Sequence, residues 1–230
     1  MIFNIFLACV LTAAGGYLLG SILFGVLISK VMYNDDVRNH GSGNAGMTNV
    51  LRTYGKLPAV FTTIGDVGKS VAAVNLGRFI FGALLSGTGS SWQNPLDPVC
   101  GAYLAAIFCM IGHSRPLFFG FKGGKGVLVG VSVFLGIDWK VFLCLIVIFA
   151  VVLAISKYVS LGSIVASVCC PIVTFLFQFW QRGDLPMWYL WLNTGLAALM
   201  GAWVIWMHRT NIQRLRAGNE NKFSFHSKKA

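Results

Sequence analysis

Residues 2–28 read Ile-Phe-Asn-Ile-Phe-Leu-Ala-Cys-Val-Leu-Thr-Ala-Ala-Gly-Gly-Tyr-Leu-Leu-Gly-Ser-Ile-Leu-Phe-Gly-Val-Leu-Ile, and no charge appears before Lys30. About 20 apolar residues cross the hydrocarbon core of a bilayer as a helix, so this run predicts one spanning helix. It has no basic residue ahead of it and is too long for a typical signal-peptide core, so no cleavable leader is expected.

The rest of the chain extends that reading. Of 230 residues, 56% are hydrophobic and only 11% are charged, where soluble domains carry about 25%. Mean hydropathy is +0.72. A soluble globular protein is excluded, and an all-α polytopic membrane helix bundle is expected, with residues 1–230 forming a single domain. Further crossings are expected at 57–86, 98–112, 126–137, 141–156, 158–180 and 187–207, about seven transmembrane segments in all. Segment 57–86 is interrupted by Gly65-Asp66-Val67-Gly68-Lys69 and reads either as one span or as a re-entrant piece plus a span. Segment 126–156 is split by Asp138 and Lys140 into two short halves, which need tilt or local thinning of the bilayer.

Charge orients the bundle. The net charge is +11. With seven crossings and the N-terminus outside, 14 of the 18 Lys and Arg fall on one side, in segments 30–56, 113–125, at Lys157 and in the tail from 208. Connection 87–97 carries none. The positive-inside rule then places the C-terminus in the cytoplasm. The six cysteines lie mostly in apolar runs with no Cys-x-x-Cys pair, as small hydrophobes would. No nucleic-acid partner, cofactor or metal site is expected, and oligomeric state is not encoded legibly. The final residues, Phe223 to Ala230, read as a polar tail.

Three polar stretches fall on the basic side. The first, Gly41-Ser42-Gly43-Asn44-Ala45-Gly46-Met47-Thr48-Asn49-Val50-Leu51-Arg52, combines tight-turn glycines, neutral hydrogen-bonding side chains and one guanidinium able to fork onto phosphate. A flexible connector has the same composition. The second runs from Gly112-His113 through Pro116 to Gly120-Phe121-Lys122-Gly123-Gly124-Lys125-Gly126. Cations beside flexible amides form an anion cradle, and four glycines in seven residues exceed what a connector needs. His113 is either a donor to substrate or a hydrogen-bonded helix end. The third, His208-Arg209-Thr210-Asn211-Ile212-Gln213-Arg214, puts His208, Asn211 and Arg214 on one helical face, with Gly218 ending the helix. A lipid-binding juxtamembrane helix is the alternative. Glu220 is the only glutamate. Asp66 and Lys69 form either a functional site within the membrane or a self-neutralising pair. Ser160 and Ser163 either line a pocket or pack against a neighbour.

Familiar catalytic signatures are missing. Gly68-Lys69-Ser70 resembles a P-loop ending, but Thr63 occupies the upstream glycine position. No histidine is followed by the aspartate of a His-x-x-x-x-Asp acyltransferase. There is no Gly-x-Ser-x-Gly elbow.

Taken together, these stretches resemble the bacterial acyl-phosphate:glycerol-3-phosphate acyltransferases, the PlsY family of integral membrane enzymes. The resemblance rests on Gly41-Ser42-Gly43-Asn44 with Asn49 and Arg52; on Gly112-His113, Pro116, Phe118, Phe121 and Lys122-Gly123-Gly124-Lys125-Gly126-Val127; and on His208-Arg209, Asn211-Ile212, Arg214-Leu215, Gly218 and Glu220. Asp66 with Lys69 and Lys157-Tyr158-Val159-Ser160 with Ser163 add two further elements. Leu128 and Val129 depart from the usual Ala-Thr, Met47 from alanine and Ser70 from glycine.

The resemblance implies transfer of a fatty acyl group from acyl phosphate to the 1-hydroxyl of glycerol 3-phosphate. The products are lysophosphatidic acid and phosphate, in the first acylation of phospholipid synthesis at the bacterial cell membrane. Acyl phosphate and glycerol 3-phosphate would be the substrates, and the lipid bilayer the setting. On chemistry, Lys125 and Arg52 are expected to neutralise phosphate and the charge developing on the carbonyl. Ser42 positions a phosphate or hydroxyl, because no base stands beside it. His208 orients the attacking hydroxyl or takes its proton, and Asn211 fixes the substrate. Gly41, Gly43, Asn44, Gly46, Thr48, Asn49, Lys122, Gly123, Gly124, Ser160, Ser163, Arg214 and Glu220 are expected to bind substrate. A small anion transporter is the competing reading, but it would spread cations along a path through the membrane.

Overall fold

The computed structural model describes residues 2–85, 97–181 and 186–223. The expected outer connection 87–97 lies almost wholly outside these residues, as does nearly all of the tail from 223. Ten α-helices follow in order: α1 Ile2–Gly20, α2 Phe24–Tyr33, α3 Met47–Tyr54, α4 Lys56–Leu85, α5 Pro98–Ser114, α6 Val127–Ile137, α7 Trp139–Ser156, α8 Val159–Gln181, α9 Met187–Met207 and α10 Arg209–Arg216. No strand occurs among the described residues. Six helical stretches are long and apolar enough to cross a membrane, with α6 shorter. Large apolar side chains face outward on them, including Ile2, Phe6, Val147, Ile155 and Trp180. In water that surface would be an aggregation hazard; in lipid it is the solvent-matched face. The chain is a multi-pass membrane protein.

One sequence expectation changes and one open alternative closes. The run 2–28 is not one helix. It breaks at Ser21-Ile22-Leu23 between α1 and α2, and α2 continues past Lys30 to Tyr33. The ammonium of Lys69, on α4, donates to the carbonyls of Gly20 and Ile22 and satisfies the backbone that the break frees. Segment 57–86 contains no re-entrant piece: α4 is one continuous helix of 30 residues, roughly 45 Å long. The interruption is absorbed because Asp66 and Lys69 pair at 2.7 Å within it. The predicted split at Asp138 holds: its carboxylate caps α7 by accepting from the Lys140 N–H at 3.0 Å.

The bundle is tightest where side chains are smallest. Ala8, Thr12, Gly16 and Gly20 form the buried stripe of α1. A Cβ at Gly16 would lie 2.6 Å from the Ala105 carbonyl oxygen of α5, and Gly77 of α4 meets Gly101 of α5 just as closely. Small residues replace the hydrophobic effect as the basis of helix association in lipid, because they let backbones touch. A larger core lies beside this trio, where Tyr103, Met110, Val129, Val133, Phe134, Met200 and Val204 join α5, α6 and α9.

Helix ends sort into two groups. Lys125 meets Asn211, Ser160 meets Glu220, and the Phe223 amide reaches the Lys157 carbonyl at one end. At the other, Asp97 accepts from Tyr189 and Lys140 donates to Gln181. Helix α6 runs from the first group towards the second.

Candidate active site

The first polar stretch folds around Asn49. Its amide nitrogen donates to the carbonyls of Val37, His40 and Asn44, each at 3.0 Å, and its oxygen accepts from the Ser42 N–H at 3.0 Å. Gly41 and Gly43 take positive φ to close the loop, and a Cβ at Gly41 would strike the Asn49 oxygen. Asn49 is therefore the knot that shapes the loop. Asn49→Ala is expected to unfold that loop and cost about 2 kcal/mol through its orphaned carbonyls, seen as a lower melting midpoint in detergent and faster proteolysis between residues 37 and 46.

Arg38, which the sequence reading counted only as charge, ties the first stretch to the second. Its guanidinium pairs with Asp36 at 2.7 Å and donates to the carbonyls of Phe119 and Lys122 at 2.8 and 2.9 Å. The latter partners are backbone carbonyls more than 80 positions away along the chain, which hid this role. The second stretch is then seated on His113: the Gly124 N–H donates to the His113 carbonyl at 3.0 Å. The imidazole stands where a Cβ on Gly124 would be, 2.1 Å from Nε2. Two glycines are required here by packing.

The third stretch turns His208, at the junction of α9 and α10, and Asn211 and Arg214 of α10 to one side. Glu220 accepts from Ser160 Oγ at 3.0 Å, Asn211 Nδ2 at 2.7 Å and Arg214 Nε at 2.8 Å. It buckles α8, α10 and the tail together. Lys125 Nζ donates to Asn211 Oδ1.

All three stretches open on one cavity of about 280 Å³. Ser42, Asn44, Gly46, Thr48, Asn49, Arg52, Lys125, Ser160, Ser163, His208, Asn211, Arg214 and Glu220 line it. Gly41, Gly43, Lys122, Gly123 and Gly124 do not line it. Asp66 and His113 also reach the wall. The opposite side is apolar, built from Val127 and Val131 of α6, Leu145 and Phe149 of α7, and Ala166 of α8. A cavity half cationic and half oily suits an anion that carries a hydrocarbon chain.

Electrostatics give each group a state. Burial, with the cations of Arg214 and Arg52 nearby, pulls the Lys125 ammonium down to about 8, against a partial offset from Glu220. Burial likewise pulls His208 down to about 4, although its bond to the Val204 carbonyl opposes this. That carbonyl only accepts, so His208 Nδ1 carries the proton at 2.8 Å and Nε2 is left as an acceptor. For Glu220, burial raises the carboxyl, but the bonds from Arg214, Asn211 and Ser160 outweigh it and hold it below the usual range. The Arg52 guanidinium and the Ser42 hydroxyl have no hydrogen-bond partner among the described residues, which leaves both free for a ligand.

No cluster of three metal-ligating side chains occurs among the described residues. All six cysteines are unpaired.

The family described as "Glycerol-3-phosphate acyltransferase" matches residues 10–218. The glycerol-3-phosphate acyltransferase of Thermosynechococcus vestitus is 38% identical over 210 residues, covering 91% of this chain and 92% of its own. Among solved structures, the glycerol 3-phosphate form of PlsY, an integral membrane glycerol 3-phosphate acyltransferase, superposes with a TM-score of 0.72 at 33% identity, covering 94% of this chain and 96% of its own. Its lysophosphatidic acid form gives 0.70 at 32% identity, with the same coverage.

Proposed function

The chain belongs to the glycerol-3-phosphate acyltransferase family, and from that premise we propose how its residues carry out the acylation of glycerol 3-phosphate to lysophosphatidic acid. The observation that carries the proposal is the single cavity into which three distant polar stretches bring Ser42, Arg52, Lys125, His208 and Asn211.

The acyl donor is an acyl phosphate. The 1-hydroxyl oxygen of glycerol 3-phosphate attacks the acyl carbonyl carbon. An ester C–O bond forms, the bond from that carbon to the phosphate oxygen breaks, and phosphate leaves with the electron pair. Phosphate is a good leaving group from a mixed anhydride, so no covalent enzyme intermediate is needed.

Lys125 and Arg52 face the phosphates and the developing carbonyl charge. Ser42 and the N-terminus of α3, at Gly46 to Thr48, add neutral donors to the anion. Asn44 and Asn49 shape that loop, with Gly41 and Gly43 at its turns. Lys122, Gly123 and Gly124 set the path of the backbone to Lys125. Arg214 and Asn211 face the same anion and are held in place by Glu220. Ser160 and Ser163 border the acyl side.

His208 is an orienting acceptor. Its Nε2 lone pair takes a hydrogen bond from the attacking hydroxyl. With a pKa near 4 it stores a proton poorly at neutral pH, so the departing phosphate receives the hydroxyl proton.

The whole chain works as one unit in the bacterial cell membrane. Seven crossings, counting α6, put the N-terminus outside and the site and C-terminus at the cytoplasmic face, as the basic helix ends require.

The test is turnover by detergent-solubilised protein. Acyl phosphate consumption should depend on glycerol 3-phosphate, and acyl-CoA should not replace acyl phosphate. Consumption without glycerol 3-phosphate, or equal use of acyl-CoA, overturns the reading.

Lys125 adds a pH signature. Its lowered pKa means it is charged below about 8 and loses its cation above. The profile of kcat/KM, which reports the free enzyme, should therefore fall as pH rises through about 8. In Lys125→Arg the remaining activity should lack that fall.

A further inference from the structure

Three buried side chains, two at the cavity wall and one behind it, have no part in the scheme above. Asp66 and Lys69 of α4 and His113 of α5 are each no more than 4% exposed. Lys69 Nζ makes three hydrogen bonds: to the Ile22 carbonyl at 2.6 Å, to the Gly20 carbonyl at 3.3 Å and to His113 Nδ1 at 2.9 Å. Asp66 Oδ1 lies 2.7 Å away as its counter-charge.

This arrangement settles the protons. The two carbonyls only accept and the carboxylate neutralises a cation, so Lys69 is an ammonium with three N–H groups and no lone pair. His113 Nδ1 can then only accept. The ring proton therefore sits on Nε2, on the far side from Lys69. That nitrogen lies against Gly124, in a residue that reaches the cavity wall. Among the described residues no group accepts its proton.

We propose that His113 is a further catalytic residue, a neutral N–H donor to a negatively charged substrate oxygen held against the cavity wall that His113 reaches. Lys69 sets the tautomer from behind, with Asp66 beside it at 2.7 Å. This inference rests on the acyl-transfer reading. Both substrates offer such an oxygen, either on the phosphate of glycerol 3-phosphate or on the acyl donor's carbonyl or phosphate. A fixed donor of this kind is pre-oriented before the charge develops, which is where such donors contribute most.

Glutamine and methionine have similar size, but only glutamine restores an N–H near the Nε2 position. His113→Met should lose about 10²- to 10³-fold in kcat/KM, and His113→Gln should stay within about tenfold of wild type. A lower kcat at unchanged KM for glycerol 3-phosphate places the oxygen on the acyl donor; a higher KM at unchanged kcat places it on the glycerol 3-phosphate phosphate. Equal losses in both variants, or no loss in either, overturn the proposal. Ring nitrogen NMR of the wild-type protein at pH 7 gives a readout that does not depend on variant folding. It should show His113 protonated at Nε2 and bare at Nδ1, and the reverse pattern overturns the assignment. Wild-type turnover in the same assay separates the two readings. If wild type is inactive, the acyl-transfer reading fails; if His113→Met matches an active wild type, only the present one does.

Discussion

Lys125→Met should retain its fold and lose about 10²- to 10³-fold in kcat/KM, because removing one charge-stabilising donor costs roughly 3–4 kcal/mol at the transition state. The side chain is half-buried between Asn211 and the open part of the cavity. Methionine replaces its stem and removes only the charge and its bond to Asn211. Asn211 keeps its bond to Glu220, so the third stretch should stay in place. Arg52→Met should behave alike, since among the described residues Arg52 enters no internal bond whose loss would disturb the loop. The decisive measurement is steady-state kinetics beside a melting curve for each variant. An unmelted Lys125→Met protein with wild-type kcat/KM would falsify the charge-stabilising role.

Lys69→Met should produce the largest loss of stability. It strands a buried carboxylate at Asp66 and takes the donor from the Gly20 and Ile22 carbonyls and from His113. Breaking a buried pair from one side costs about 3–5 kcal/mol, chiefly through the charge left behind. The double variant Asp66→Asn with Lys69→Met should recover part of that loss, because no bare anion remains. Melting in a mild detergent distinguishes these outcomes. A single variant that melts with wild type would mean that water or another group reaches Asp66. The break between α1 and α2 should also exchange amide hydrogen faster in Lys69→Met, since its carbonyls lose their tether.

Much of the architecture could be read along the chain because membrane solvation acts residue by residue. Asp138 interrupts an apolar run, and it caps α7 where the interruption falls. The gathering of cations in stretches 30–56, 113–125 and 208–220 anticipated one polar end. His208, Asn211 and Arg214 recur at helical spacing and do face one cavity. What escaped the sequence depends on partners far along it. Ser21 is a common helix residue and Ile22 and Leu23 are as apolar as their neighbours, and the break there is stabilised by an ammonium some 47 positions away. Arg38 looked like one more surface cation, because its acceptors are backbone carbonyls, and backbone leaves no mark in composition. Asn49 reads as a ligand and serves as a knot for the same reason. Local composition also could not tell whether Asp66 and Lys69 divide α4 or neutralise each other inside it; a 2.7 Å contact decides that.

The glycine and alanine contacts joining α1, α4 and α5 bear on how an oily product departs. Where backbone touches backbone there is no seam for a hydrocarbon tail, so that flank is sealed against the bilayer. The cavity's oily wall lies across from it, on α7 and α8, and the outer face of α7 exposes Val147, Val151 and Ile155. Lysophosphatidic acid would leave sideways on that flank.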